Sequence, residues 1–454
     1  MEPIKKLFCR RHSGAAFVIS MIFVLVFSAL AVSMATLCDT NLQIAENQRK
    51  GDFARASAES GVDIIRFWLS RFAVPGATQQ SLVFSELASS LQSDLTANGI
   101  TNITTSFNGT TLTISDVTLD SEKSFSAKII QLNPDTLQMD VTGVYKTNTR
   151  TIRANYDFGI RKHTVFDYGV ATKGPLHLAG NIELEGANVK VESDVYIVSE
   201  NSDLALEIIG NSSIAGDVHI CSSTATADLQ GGKASVGGET LPEALDHIIN
   251  GIDDVEFPVP NPEYFEHYVV EDINLAETTF TNVRIPPNTN PIFGGGVTFY
   301  GVVFIETPNL VTFTANVNIT GIIVGDGDVT DDSGTNRIDF LGTVSSNPVT
   351  DLPAGFGELT EETGTFLMAP GFSLSFQGDF ETINGAIAAN GIAFSGNAGG
   401  IIEGSVLNYS DTAMDLSGNN SLVFNRYADT EIPAGFEPEI VLKYDHASYS
   451  EGPF

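Results

Sequence analysis

Residues Ser13 to Leu37 read SGAAFVISMIFVLVFSALAVSMATL, and from Ala15 onward this stretch carries no charged side chain. Those roughly 23 residues, at about 1.5 Å each, make a helix of about 34 Å, long enough to cross a hydrocarbon core with some tilt. Lys5, Lys6, Arg10 and Arg11 precede the run, which puts Met1 to Ser13 on the cytoplasmic side and everything after the span outside. Hydropathy alone admits three readings. One is a secretory signal peptide ending at Ser33-Met34-Ala35, although the run exceeds the usual apolar region of roughly 7 to 15 residues. The second is a plain single-span anchor. The third is a leader cut ahead of the apolar run, so that the helix stays in the mature protein.

Beyond Leu37 the helical spacing continues. Leu42, Ala45, Phe53, Ala56, Ile64, Phe67 and Trp68 form one stripe before Pro75 ends the pattern. A helix from Ala15 to near Leu69 is about 80 Å long, with an apolar half and an amphipathic half.

Three short stretches narrow the reading: Gly14-Ala15-Ala16-Phe17-Val18-Ile19, Asn47-Gln48-Arg49 and Ala58-Glu59-Ser60-Gly61. Together they resemble the amino-terminal region of PilX-type minor pilins, over about the first 70 residues. The resemblance implies that a prepilin peptidase cuts between Gly14 and Ala15 while the helix sits in the bacterial inner membrane. It also implies that the helix then joins other pilins or pseudopilins, leaving the rest displayed on a pilus or cell surface. Major pilins usually carry glutamate at the fifth mature position. Here that position is Ile19, which points to a minor or tip subunit.

Thr78 to Asn98 has Leu82, Phe84, Leu87, Leu91 and Leu95 at helical spacing. Alternating segments follow at Ile103 to Phe107, Thr110 to Ile114, Ser126 to Leu132, Leu137 to Val144 and Thr149 to Phe158. Asn108-Gly109 marks a hairpin. The expected first unit is α+β, a long helix on a small antiparallel sheet. Its parts are a leader at 1–14, the helix at 15–72 and a head at 73–162.

From 163 to 454 the texture changes to short apolar runs between glycines and asparagines. Examples are Val297 to Ile305, Val317 to Val324, Phe372 to Phe376 and Ile401 to Leu407. Such spacing points to an all-β region and favours a β-solenoid, each turn burying its face only against its neighbours. A β-sandwich with Greek-key links is the alternative. Leu241 to Ile252 reads as a helix and Phe257 to Pro262 as an extended connection, so that 241–262 interrupts or caps the region.

The chain has 454 residues, 56 acidic and 23 basic, for a formal charge of -33. That excludes nucleic acid and anionic lipid surfaces as principal partners of the body. Three cysteines, at 9, 38 and 221, cannot staple a chain of this length. No His-Glu-x-x-His, Gly-x-Ser-x-Gly or phosphate-loop pattern occurs, so no catalytic residue is assigned. His163, His177 and His219 read as solvent-facing or strand-edge residues. The best ligand candidate is Gly325-Asp326-Gly327-Asp328-Val329-Thr330-Asp331-Asp332, where Asp326, Asp328 and Asp332 offer oxygen to calcium. The opening resembles an EF-hand loop, but Arg337 stands where the closing glutamate belongs, and a plain acidic turn is the simpler reading. A glycan-binding or glycan-cleaving solenoid is the functional alternative. Scarce arginine (Arg284, Arg337 and Arg426 alone after His163) counts against a lyase, which needs a cation at the developing charge.

Overall fold

The computed structural model describes residues 13–76, 78–200, 203–331, 334–426 and 431–452. The chain divides into two compact units, one from 1–74, 78–159 and 441–454, the other from 75–77 and 160–440.

In the first unit α1 runs from Ser13 to Arg71 as one unbroken helix of 59 residues, about 88 Å long. A second helix, α2, spans Gln80–Ala97 and buries Val83, Phe84, Leu87, Ala88, Leu91 and Leu95. Strands β1 (Ala73–Pro75), β2 (Thr105–Phe107), β3 (Thr111–Thr118), β4 (Lys123–Asn133), β5 (Thr136–Tyr145) and β6 (Asn148–Arg161) build a seven-stranded sheet. The pairs β2–β3, β3–β4, β4–β5 and β5–β6 are antiparallel. The Asn108-Gly109 turn forms as expected: the Asn108 Oδ1 accepts from the Thr110 and Thr111 amides at 3.1 and 2.9 Å, and Gly109 takes a φ of +97°. The seventh strand was not foreseen. Glu439–Gly452 pairs between β1 and β6, so 441–454 belongs to the first unit and not to the β-rich region in which the sequence placed it.

The stripe that docks α1 on the sheet also differs from the expected one. Gly51, Ala54, Ser57, Ala58, Gly61, Val62, Ile65 and Leu69 are buried, whereas Phe67 and Leu42 are exposed. Small residues make the contact because the helix lies close to the strands. A Cβ on Gly61 would stand 2.6 Å from the Phe125 ring. Val62, Ile65 and Leu69 fill the rest of the contact, while Phe67 faces away.

The second unit holds a 14-stranded and a 12-stranded sheet. Among the described residues, strand pairing in both is parallel except between Ser235–Val236 and Glu239–Thr240. An antiparallel Greek-key sandwich is therefore not formed. Strand order shows how the chain is laid down. From Val170–Thr172 the 12-stranded sheet grows through Val195–Ile197 and Val218–Ile220 to Ile248–Asn250. The chain then resumes at the opposite edge with Glu271–Asp272 and returns, strand by strand, until Val406–Asn408 pairs with Val170–Thr172. In the 14-stranded sheet the same closure joins Met414–Phe424 to Leu176–Gly186, in register from Met414 and Leu176 to Phe424 and Gly186. The two stacks meet at this seam, between segments some 240 residues apart in sequence.

Leu241 to Ile252 is not a helix. It holds a 3-10 turn, Glu243–His247, and the strand Ile248–Asn250, whose pairing with Val218–Ile220 claims the backbone bonds a helix needs. The expected connection that follows carries the chain back across the 12-stranded sheet. Phe257 and Phe265 are buried there with Tyr196, Phe304, Met368 and Tyr409. That sheet is thus covered on both faces, and its strands are continuous apolar runs such as Phe366-Leu367-Met368-Ala369.

The shared core of the two sheets carries a phenylalanine ladder. Phe293, Phe313, Phe340, Phe376 and Phe394 occupy matched positions on successive strands. Their rings lie 4.8 to 5.2 Å apart and within 17° of parallel. Phe340 sits mid-ladder and is fully buried. Phe340→Ala is expected to cost about 3–5 kcal/mol, read as a lower denaturant midpoint at unchanged slope; a change under about 1 kcal/mol rules the ladder out as a stabilising element. Glycines form a second column: a Cβ on Gly180 (φ +127°) would meet the Gly418 carbonyl at 2.3 Å, and one on Gly418 (φ +100°) the Gly396 carbonyl at 2.4 Å. Only glycine lets the turns stack this closely.

Candidate functional site

The amino-terminal half of α1 presents a long run of exposed apolar side chains. From Ala15 to Arg49 every residue is exposed, including Phe17, Val24 and Leu42 at 69, 65 and 69%. Water does not tolerate such a surface on a free helix. Three of its hydroxyls bond back to the helix itself: Ser20 donates to the Phe17 carbonyl at 2.8 Å, Thr36 to Val32 and Ser33 at 3.0 and 2.9 Å, and Thr40 to Thr36 at 2.8 Å. A helix that keeps its polar groups to itself suits hydrocarbon or the apolar sides of other helices. Charge returns beyond the span, where Lys50 pairs with Glu46 at 2.9 Å one turn away. Among the described residues, this is the helix long and apolar enough to cross a membrane.

Both processing residues lie in α1: Gly14 is the second residue of the helix and Ala15 the third. Met1–His12 lies outside the described residues. Of the three calcium candidates, Asp326 and Asp328 are among the described residues. Asp332 lies outside the described residues. The Asp326 Oδ1 accepts from the Thr307 amide at 2.6 Å, and burial pushes its carboxyl above the usual range. Asp328 Oδ1 accepts from the Thr330 amide and hydroxyl at 2.8 and 3.0 Å, bonds that hold its carboxyl below the usual range. Asp326 thus ties down a segment 19 residues earlier and Asp328 closes its own turn; among the described residues no three His, Cys, Asp or Glu side chains converge on a metal position.

No protein-family model matches the chain, and no curated protein matches it in sequence. One similar solved structure is the competence-associated pilin ComZ from Thermus thermophilus. It is 12% identical, with 89% of this chain and 97% of that one covered, at a TM-score of 0.32. The likeness is too loose to assign a fold.

Two polar centres in the second unit escaped the sequence reading. The first is Arg426, which is nine-tenths buried. Its guanidinium donates to four backbone carbonyls, those of Glu192 (2.8 Å), Phe166 (3.0 Å), Asp167 (2.7 Å) and Val191 (3.0 Å). The Arg426 amide donates to the Glu192 carboxylate at 3.0 Å. Burial pushes that carboxyl up, but donors from Val189, Asn188 and Arg426 outweigh it and hold it at about 2. This cluster ties the end of the returning stack to the start of the outgoing one. The only sequence signal was an arginine where arginine is scarce.

The second is His163, expected at the surface and found 8% exposed. His177 and His219 are half-buried, the first facing Asp415 at 3.3 Å and the second edge-on to Tyr168.

Proposed function

We propose that the chain is a minor pilin or tip pseudopilin of PilX type. It enters the bacterial inner membrane through α1, is cut between Gly14 and Ala15 by a prepilin peptidase, and joins other pilins through the same helix. One observation carries the reading: a single continuous helix whose carboxy-terminal half is packed on a sheet and whose amino-terminal half is apolar and bare. A cleaved secretory signal has no reason to continue unbroken into a structural helix, and a plain anchor has no reason to dock its extension through glycine and alanine. Ile19 in place of the usual glutamate supports a minor or tip position over a shaft subunit.

The second unit is then the displayed part. Its parallel pairing, phenylalanine ladder and glycine column support a β-solenoid in two stacks joined at the seam. In this reading it is a structural or adhesive element on the pilus or cell surface, with no reaction of its own.

The mass of the mature chain, made with and without a prepilin peptidase, tests the proposal. The expected product begins at Ala15 when the peptidase is present, and Gly14→Val blocks it. A mature chain beginning at Thr36, or an intact Met1 in the presence of active peptidase, overturns the assignment.

A further inference from the structure

His163 stands where the chain enters the β-rich unit, beside the point where it leaves. Its Nδ1 accepts from the Val165 amide at 3.3 Å, capping the 3-10 turn Thr164–Asp167. With Nδ1 as acceptor, the proton of the neutral ring is on Nε2, which faces the Glu439 Oε1 at 3.3 Å. Arg161 holds the other oxygen of the same buried carboxylate at 2.7 Å. The capped turn has a further task. Its Phe166 and Asp167 carbonyls take two of the guanidinium bonds of Arg426, and the Ser405 hydroxyl also donates to Phe166 at 3.1 Å. Phe436 packs edge-on against the Phe166 ring at 5.1 Å.

We propose that His163 is an acid-released catch that fixes the root of the β-rich unit to its seam. Protonation turns Nδ1 from an acceptor into a donor pointed at the Val165 N–H. The cap is lost, and with it the geometry that offers Phe166 and Asp167 to Arg426.

The charged groups around the ring act in both directions. Burial disfavours the cation most, and Arg161 adds to that, while Glu439, Glu256 and Asp167 favour it; the balance lies below the usual histidine value. Lys162 pairs with Asp167 at 3.6 Å. A histidine harder to protonate when folded contributes stability above its unfolded value of about 6.5. That contribution is lost as pH falls toward the folded value. Glu192, held at about 2, does not titrate in this window.

Hydrogen exchange of the full-length chain in detergent, read by mass spectrometry over 160–168 between pH 7.5 and 4, tests the catch. The protection factor of this segment is expected to fall about tenfold per pH unit below 6.5 and to level off at the folded value of His163. His163→Asn keeps a capping acceptor without a titratable ring, and its protection is expected to stay flat across the same window. Glu439→Gln removes an attraction for the cation, so the fall is expected to extend to lower pH. An unchanged pH profile in His163→Asn, or a window that does not move in Glu439→Gln, overturns the proposal.

Discussion

In a Gly143→Val chain α1 is expected to come off its sheet. Gly143 lies near the carboxy-terminal end of β5, opposite the helix, and a Cβ there would stand 2.2 Å from both the Ala54 carbonyl oxygen and the Ala58 nitrogen. Those atoms belong to a hydrogen-bonded helical backbone, which cannot rotate aside as a side chain can. The helix must move outward as a whole, and the burial of Ala54, Ala58, Val62, Ile65 and Leu69 goes with it. The expected cost exceeds about 4 kcal/mol, the range of strain that has no local relief. Trp68 is the only tryptophan and sits on α1, so a red-shifted emission and a lower unfolding midpoint report the loss directly. Gly159→Ala is the control: the added methyl there meets the flexible end of Lys443, and little change is expected. Unchanged Trp68 emission and midpoint in Gly143→Val rule out the close helix–sheet contact.

Arg426→Met is expected to open the seam of the second unit. The methionine fills similar volume but leaves the Glu192 and Asp167 carbonyls without the guanidinium that serves them. A buried acceptor stripped of its partner costs roughly 1–3 kcal/mol, so the combined loss is about 3 kcal/mol or more. The seam strands Leu176–Gly186 and Met414–Phe424 then become the most exchange-labile part of both sheets, ahead of the ladder strands around Phe340. Exchange that stays uniform across the two sheets in the variant removes Arg426 from the seam. Arg426→Lys restores the charge without the fork, and only part of the stability is expected to return.

How much of this was legible beforehand depends on the kind of signal. The apolar run, its length and its continuation into α1 were readable because a helix records its surroundings every three or four residues along one segment. The Asn108-Gly109 hairpin was readable because the turn itself demands those residues. The docking stripe was misread because apolar content was taken to mark the buried face. Where helix and sheet approach closely, size decides, and glycine and alanine win over Phe67. The missing Leu241–Ile252 helix failed for a related reason: a parallel neighbour, Val218–Ile220, competed for the same backbone groups. Of the candidate site residues, Gly14 and Ala15 both lie within α1, which begins at Ser13, two residues earlier than the expected helix. Asp326 accepts from the distant Thr307 amide and Asp328 from the nearby Thr330 amide, a difference that was not legible because an acidic loop looks alike in sequence whichever partners its oxygens find.

The run at Ser13 to Leu37 therefore fixed, by itself, that the chain carries a membrane-length helix, and strand texture fixed that a large β-rich region follows. The structure separates two burial patterns within that region, alternating in Met414–Phe424 where one face is open and continuous in Ala386–Ala389 where both are covered. Which strand lies beside which was decided only in three dimensions. Parallel pairing is made by backbone groups common to every residue, so nothing local in Leu176–Gly186 names Met414–Phe424 as its neighbour. The same holds for the return of Glu439–Gly452 to the first sheet, and for the burial of Arg426 and His163. Their distant partners, main-chain carbonyls for Arg426 and the Glu439 carboxylate for His163, come together only once both stacks have closed.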